Sequence, residues 1–166
     1  MSLHPLARLA LVATVFAAPA CAQQDVVRHK YPGSDFPIAM AVEVPAGKKL
    51  VFVSGSGPSI ADKNAKGFAA YGDTAAQTVS TLEAIQANLK LLKLEMKDVV
   101  KMQVFLVGDP AKDNRMDFGG FMQGYRKFFG TAEQPNLPAR TTVQVAALPN
   151  PGWLVEIEVT AVAPAN

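Results

Sequence analysis

The order of periodic segments predicts an α+β fold, with two helices packed on one face of a mixed sheet. Three observations carry this. Two stretches, Val79 to Leu92 and Phe118 to Phe129, repeat apolar residues at helical spacing. Several shorter stretches alternate apolar and polar residues, as half-buried strands do. The elements run strands, helix, strand, helix, two strands.

Residues 1–22 read as an export leader and not as part of the fold. Arg8 precedes the apolar run Leu9 to Ala18, which has the length of a signal-peptide core and is too short to span a bilayer. Ala20-Cys21-Ala22 suits cleavage before Gln23, which leaves residues 23–166 as one exported domain, periplasmic or secreted. Lipid attachment at Cys21 is the alternative.

Val26 to Lys30 then alternates as a short strand, and Tyr31 to Pro37 is rich in turn residues. Ala39–Val44 and Lys49–Val53 read as two strands joined through Pro45-Ala46-Gly47-Lys48, and Ser54-Gly55-Ser56-Gly57-Pro58 ends the second. Glycines there either bring backbone N–H groups close to a ligand or simply make a turn. Ile60 to Gly72 is a long mixed loop.

The first helix has cap candidates in Asp73 and Thr74, and Thr74 with Gln77 forms a capping box. Its core stripe is Val79, Leu82, Ile85, Leu89 and Leu92, with Lys90 and Lys93 at the negative pole. Val99 to Val107 is a strand that places Val100, Met102, Val104 and Leu106 on one face. A second helix, from about Asn114 to Phe129, carries Phe118, Phe121, Met122, Tyr125, Phe128 and Phe129 as a core stripe, with Gly130 at its C-cap. The last two strands, Pro135–Val145 and Trp153–Val162, flank the turn residues Leu148 to Gly152 and are predicted to pair as a hairpin. Val143, Val145, Val155, Ile157, Val159 and Ala161 are their core-facing residues.

Composition excludes several classes. The chain has 166 residues, 49% of them hydrophobic, and a net charge of +2, too small to imply nucleic acid or an anionic membrane. Cys21 is the only cysteine, so a chain cut before Gln23 has no disulfide, thiol nucleophile or thiolate metal site. His29 is the only histidine beyond the leader and no nucleophile-elbow motif accompanies it, so neither a Ser-His-Asp triad nor a histidine metal site is indicated. No metal and no cofactor are expected.

With both helices on one face, Lys101, Gln103, Arg140, Thr142, Gln144, Glu156 and Glu158 gather on the other. Such a face is either wet or part of a sheltered site in which Arg140 grips a carboxylate through its two-pronged donors. Subunit association would shelter it and place Arg140 at an interface.

Pro138-Ala139-Arg140-Thr141-Thr142-Val143-Gln144-Val145, followed by Val155-Glu156-Ile157-Glu158-Val159, resembles the signature of the RidA/YjgF family of reactive-intermediate deaminases. Ser54-Gly55, Asp98-Val99-Val100-Lys101 and Tyr125-Arg126-Lys127-Phe128-Phe129 fall in family order, and the resemblance covers about residues 36 to 163. It implies a chorismate-mutase-like fold and a homotrimer whose sheets form a central barrel with clefts between subunits. It further implies cofactor-free hydrolysis of 2-aminoacrylate or 2-iminopropanoate-type enamines and imines to 2-keto acids and ammonia. By the same resemblance Arg140 holds the substrate carboxylate, Glu156 positions or activates water, and Ser54, Gly55 and Thr142 complete the pocket. Ile38, Met40, Met122 and Thr142 depart from the family pattern, which commonly has Tyr, Gln, Asn and Cys at these places. A non-catalytic trimer binding a small carboxylate or a protein is the alternative of the same architecture, and a chaperone-like trimer a third.

Overall fold

The computed structural model describes residues 25–164, so the leader, Cys21 and the cleavage position before Gln23 lie outside the described residues. Strands β1 (Val27–His29) and β2 (Ala41–Glu43) form an antiparallel two-stranded ribbon. His29 Nε2 meets Glu43 Oε1 across it at 2.8 Å, in exposed surroundings. Strands β3 (Leu50–Ser56), β4 (Val99–Val107), β5 (Ala139–Val145) and β6 (Val155–Val162) form the main sheet in the order β3-β6-β4-β5. Helices α1 (Thr74–Leu91) and α2 (Phe118–Tyr125) cover one face, enclosing a core that includes Leu82, Ile85, Leu89, Phe121, Tyr125 and Phe129. The sheet contributes Met102, Val104 and Leu106 from β4 and Val155, Ile157, Val159 and Ala161 from β6, as their alternation predicts.

The predicted hairpin of the last two strands does not form. β5 and β6 run in opposite directions, but β4 lies between them, antiparallel to β6 and parallel to β5. Parallel pairing requires a crossover that returns the chain to the same end of the sheet, and α2 lies within that connection. β5 is therefore an edge strand.

Both helices differ from expectation at their ends. Asp73 caps α1 alone by accepting from the Ala76 N–H at 2.8 Å. Gln77 makes no capping box. Its buried amide donates to the carbonyls of Gly72 and Gly152 and accepts from the Leu154 N–H at 2.7 Å, fastening the β5–β6 loop to the start of α1. Leu92 lies past the last helical turn and is exposed, and Val79 is only partly buried. The loop before α1 contains a 3-10 turn at Gly67–Ala70.

Helix α2 is much shorter than its apolar stripe and starts at Phe118 because the Asp117 carboxylate accepts from the Gly120 N–H at 2.9 Å. Its three glycines oppose helix formation by roughly 1 kcal/mol each relative to Ala. Two of them have a packing reason. A Cβ on Gly124 would lie 2.6 Å from Thr78 Cβ, and one on Gly120 would crowd both Asp117 and Thr74 Cβ, so the helices touch through glycines facing threonines one turn apart. Replacing Gly124 with Ala tests which effect wins. Overpacking costs about 1–3 kcal/mol and the propensity gain is about 1. Gly124→Ala is expected to lower the midpoint of thermal unfolding by several degrees, measured by circular dichroism, where an isolated helix would gain stability.

A half-buried Arg28 joins the ribbon to the main sheet by donating to the carbonyls of Leu137 at 2.7 Å and Val99 and Lys97 at 2.9 Å. Ala39 adds a bridge to Ala139, its N–H donating to the Pro138 carbonyl at 3.0 Å. Together these contacts lay the segment from Phe36 to Ile38 along the beginning of β5, immediately before Arg140.

Candidate functional site

Arg140 is on the opposite face of the sheet from the one its alternation suggests. In the parallel β4–β5 register it stands beside Met102, with Thr142 beside Val104 and Gln144 beside Leu106, all on the helix side. Thr141 and Val143 take the open face, where Val143 is well exposed. The inward set of β5 is thus the polar one. On an edge strand the neighbouring helix is close enough to enclose a guanidinium, and aromatic rings rather than water receive it.

Four rings surround that group. Arg140 Cζ lies 4.4 Å from the ring centre of Tyr125, 4.9 Å from Phe121, 5.6 Å from Phe36 and 5.8 Å from Phe118. Phe118, Phe121 and Tyr125 come from α2 at helical spacing, and their electron-rich faces attract a cation. The Tyr125 hydroxyl is committed to the Pro37 carbonyl at 2.8 Å, which ties the Phe36 loop over the site. Burial pushes the Tyr125 hydroxyl well above its ordinary pKa, an effect that the nearby Arg140 charge opposes. Burial also lowers the Arg140 pKa, against the favourable influence of Tyr125.

No carboxylate pairs with Arg140 among the described residues. Five buried side-chain polar atoms there have no hydrogen-bond partner, and two of them, Arg140 Nη1 and Thr142 Oγ1, are two residues apart on the same face of β5. Buried polar groups are nearly always satisfied, at a cost of about 1–3 kcal/mol when they are not. This neighbouring open pair makes the β5 edge the candidate binding position.

Glu156 is elsewhere. It stands beside Phe105 on the open face of β6, next to the Gln103–Glu158 pair, with Gln103 Nε2 donating to Glu158 Oε1. Lys101 donates to Thr141 Oγ1 at 3.2 Å on the same face. β3 accommodates Glu156 through a bulge: the register passes from Val53 beside Val159 to Ser56 beside Ile157, which inserts one extra residue at Ser54-Gly55. A Cβ on Gly55 would meet Glu156 Oε1, so the glycine leaves room for this carboxylate to lie against the β3 backbone. Ser54 lines a hollow of about 280 Å³ on the open face, together with Phe52, Lys101, Gln103 and Glu158.

The five predicted site residues therefore fall into two groups. Arg140 and Thr142 face the helices, while Glu156, Ser54 and Gly55 belong to the other face, across β4. Sequence reading missed the aromatic enclosure, although Phe118, Phe121 and Tyr125 at 3- and 4-residue spacing were visible as a core stripe. Phe36 gave no local signal, since only tertiary structure brings it to Arg140. Among the described residues, no cluster of three or more His, Cys, Asp or Glu side chains is gathered to hold a metal, and no helix is long and apolar enough to cross a membrane.

The fold belongs to a recognised class. The endoribonuclease L-PSP family model matches residues 37–163, and the chain is a member of that family, the RidA/YjgF proteins. Protein DfrA of Myxococcus xanthus is 34% identical over 143 residues, spanning 85% of this chain and 96% of its own. A RutC family protein of Haemophilus influenzae is 34% identical over 139 residues, spanning 84% and 96%. Among solved structures, the YjgF gene product of E. coli is 30% identical with a TM-score of 0.55, covering 80% of this chain and 93% of that one.

An unpaired charge enclosed by rings is costly to keep, because desolvation acts against the cation–π attraction. Arg140→Met, which keeps the apolar stem, is accordingly expected to change unfolding free energy by less than about 1 kcal/mol in urea titrations. A loss of several kcal/mol would identify Arg140 as a structural residue instead.

Proposed function

We propose that the protein hydrolyses small imine and enamine acids of the 2-aminoacrylate and 2-iminopropanoate type to 2-keto acids and ammonia, at sites shared between chains of a homotrimer. The observation that carries this is the open pair Arg140 Nη1 and Thr142 Oγ1, two buried atoms of half-buried residues that have no hydrogen-bond partner. A substrate carboxylate supplies what the guanidinium lacks, in the two-pronged geometry that Arg favours.

Water adds to the imine carbon, whose double bond already makes it electrophilic. A C–O bond forms, the C=N π pair moves to nitrogen, and the water gives up a proton to a base. Transfer of protons to nitrogen lets the C–N bond break as ammonia leaves and the carbonyl forms. Positioning and one proton relay suffice for this, with no electron transferred. Glu156 is the base, and the bulge at Ser54-Gly55 holds it beside exposed backbone.

Arg140 and Glu156 lie on opposite faces of one sheet, so a single chain does not present both to one small substrate. Two chains can, if the open face of one approaches the β5 edge of the next. The exposed apolar residues Phe52 and Val143 on the open face support such association. Cleavage of RNA, which the family description names, has less support: the net charge is +2 and Lys101 is the sole basic residue of the open-face hollow.

Release of ammonia and 2-keto acid from freshly generated 2-iminopropanoate tests the reaction. Wild type should exceed the uncatalysed rate, and Arg140→Ala should lose about 100-fold in kcat/KM, the equivalent of a charged hydrogen-bonding contact. Equal, uncatalysed rates for both would exclude the enzyme. Keto-acid binding that still depends on Arg140 would then leave a carboxylate-binding protein.

Sharing of the site has its own test. Arg140→Ala and Glu156→Gln are each inactive in this account, and co-expressed chains assemble at random. If each site draws on two chains, about one site in four regains both intact residues, and activity returns to roughly a quarter of wild type. No recovery in proven mixed oligomers would place both residues in the same chain's site.

A further inference from the structure

We propose that the substrate held at Arg140 carries an apolar side chain of several carbons, seated against the paired rings of Phe36 and Phe118. This rests on the reading that a carboxylate sits at Arg140, keeps the same imine chemistry, and moves the preferred substrate from the smallest 2-imino acids to larger apolar ones. Phe36 and Phe118 stack on each other with ring centres 6.4 Å apart and planes inclined by 20°. One comes from the loop between β1 and β2, the other from the first turn of α2. Of the four rings around the guanidinium, Phe121 and Tyr125 are fully buried and form its floor, whereas Phe36 and Phe118 remain 38% and 36% exposed and form its rim.

A carboxylate bound to the guanidinium therefore has two phenyl faces beside it. The four rings carry a single polar group, the Tyr125 hydroxyl, and its proton is already donated to the Pro37 carbonyl, so no ring offers a free donor to a polar substituent. A second carboxylate, which needs donors, would surrender hydration without replacement from the rings. A branched aliphatic or aromatic group would instead remove apolar surface from water on both sides. A single methylene in an apolar pocket shifts specificity by about 10-fold or more. The fitting substrates are 2-imino acids derived from leucine-like or phenylalanine-like amino acids.

Two measurements on the full-length protein test this. The first compares kcat/KM for imines generated in situ by an amino-acid oxidase from alanine, leucine and phenylalanine. Wild type is expected to prefer the larger two by about 10-fold or more, and Phe36→Ala, a loop position, to bring the ratio to near one. The second compares calorimetric affinities for 2-oxopropanoate and 4-methyl-2-oxopentanoate, which needs no turnover. Binding that favours the branched acid and loses that preference in Phe36→Ala supports the proposal even if no imine is hydrolysed. Both keto acids binding equally, dependent on Arg140, overturns the proposal and leaves the carboxylate grip standing. Binding of neither overturns both.

Discussion

A cation without an anion is the constraint around which this structure is arranged. The Arg140 guanidinium is enclosed by four aromatic rings, has no carboxylate partner among the described residues, and leaves one terminal nitrogen unsatisfied. Several features serve that enclosure. Glycines facing threonines let α2 lie close to α1, which sets the height of Phe121 and Tyr125 above β5. Arg28 and the Ala39–Ala139 bridge hold the Phe36 loop against the same strand, and the Tyr125 hydroxyl fastens it from above. Burial of the charge acts against folding, and attraction to the ring faces offsets part of that cost. The proposed carboxylate would restore the partner that the guanidinium lacks.

The second constraint is topological. β4 separates β5 from β6, and the pleat sends Arg140 and Glu156 to opposite sides. One sheet therefore displays a grip for an acid at its edge and a carboxylate on its open face, held by a bulge and a glycine. In the proposed mechanism neither half would be a catalytic site alone. Association of copies would, in that mechanism, turn two incomplete surfaces into one site.

Much of this was legible in the sequence, and the failures have physical causes. Strict alternation in Val155 to Ala161 identified β6 and its buried face, because an interior strand must match the core on every second residue. Leu82, Ile85 and Leu89 identified the inner face of α1 in the same way. For β5 the alternation gave the strand but reversed its faces, since a polar set enclosed by rings and an apolar set on an exposed face invert the usual assignment. Gln77 matched a capping box locally, yet its amide found two partners in the β5–β6 loop and a third in the Gly72 carbonyl, where the cap offered one. The pairing of β5 with β4 depended on a crossover that no local pattern encodes. Arg140, Thr142, Ser54, Gly55 and Glu156 were all visible as residues of interest; their division between two faces was not.

A crystal structure of the protein with a small 2-keto acid tests the central claim most directly. The account predicts the carboxylate in two-pronged contact with Arg140, within reach of Thr142 Oγ1, with a neighbouring chain's open face bringing Glu156 toward the 2-carbon. An acid bound elsewhere, with Arg140 still enclosed by its four rings and no second chain against it, would contradict the account.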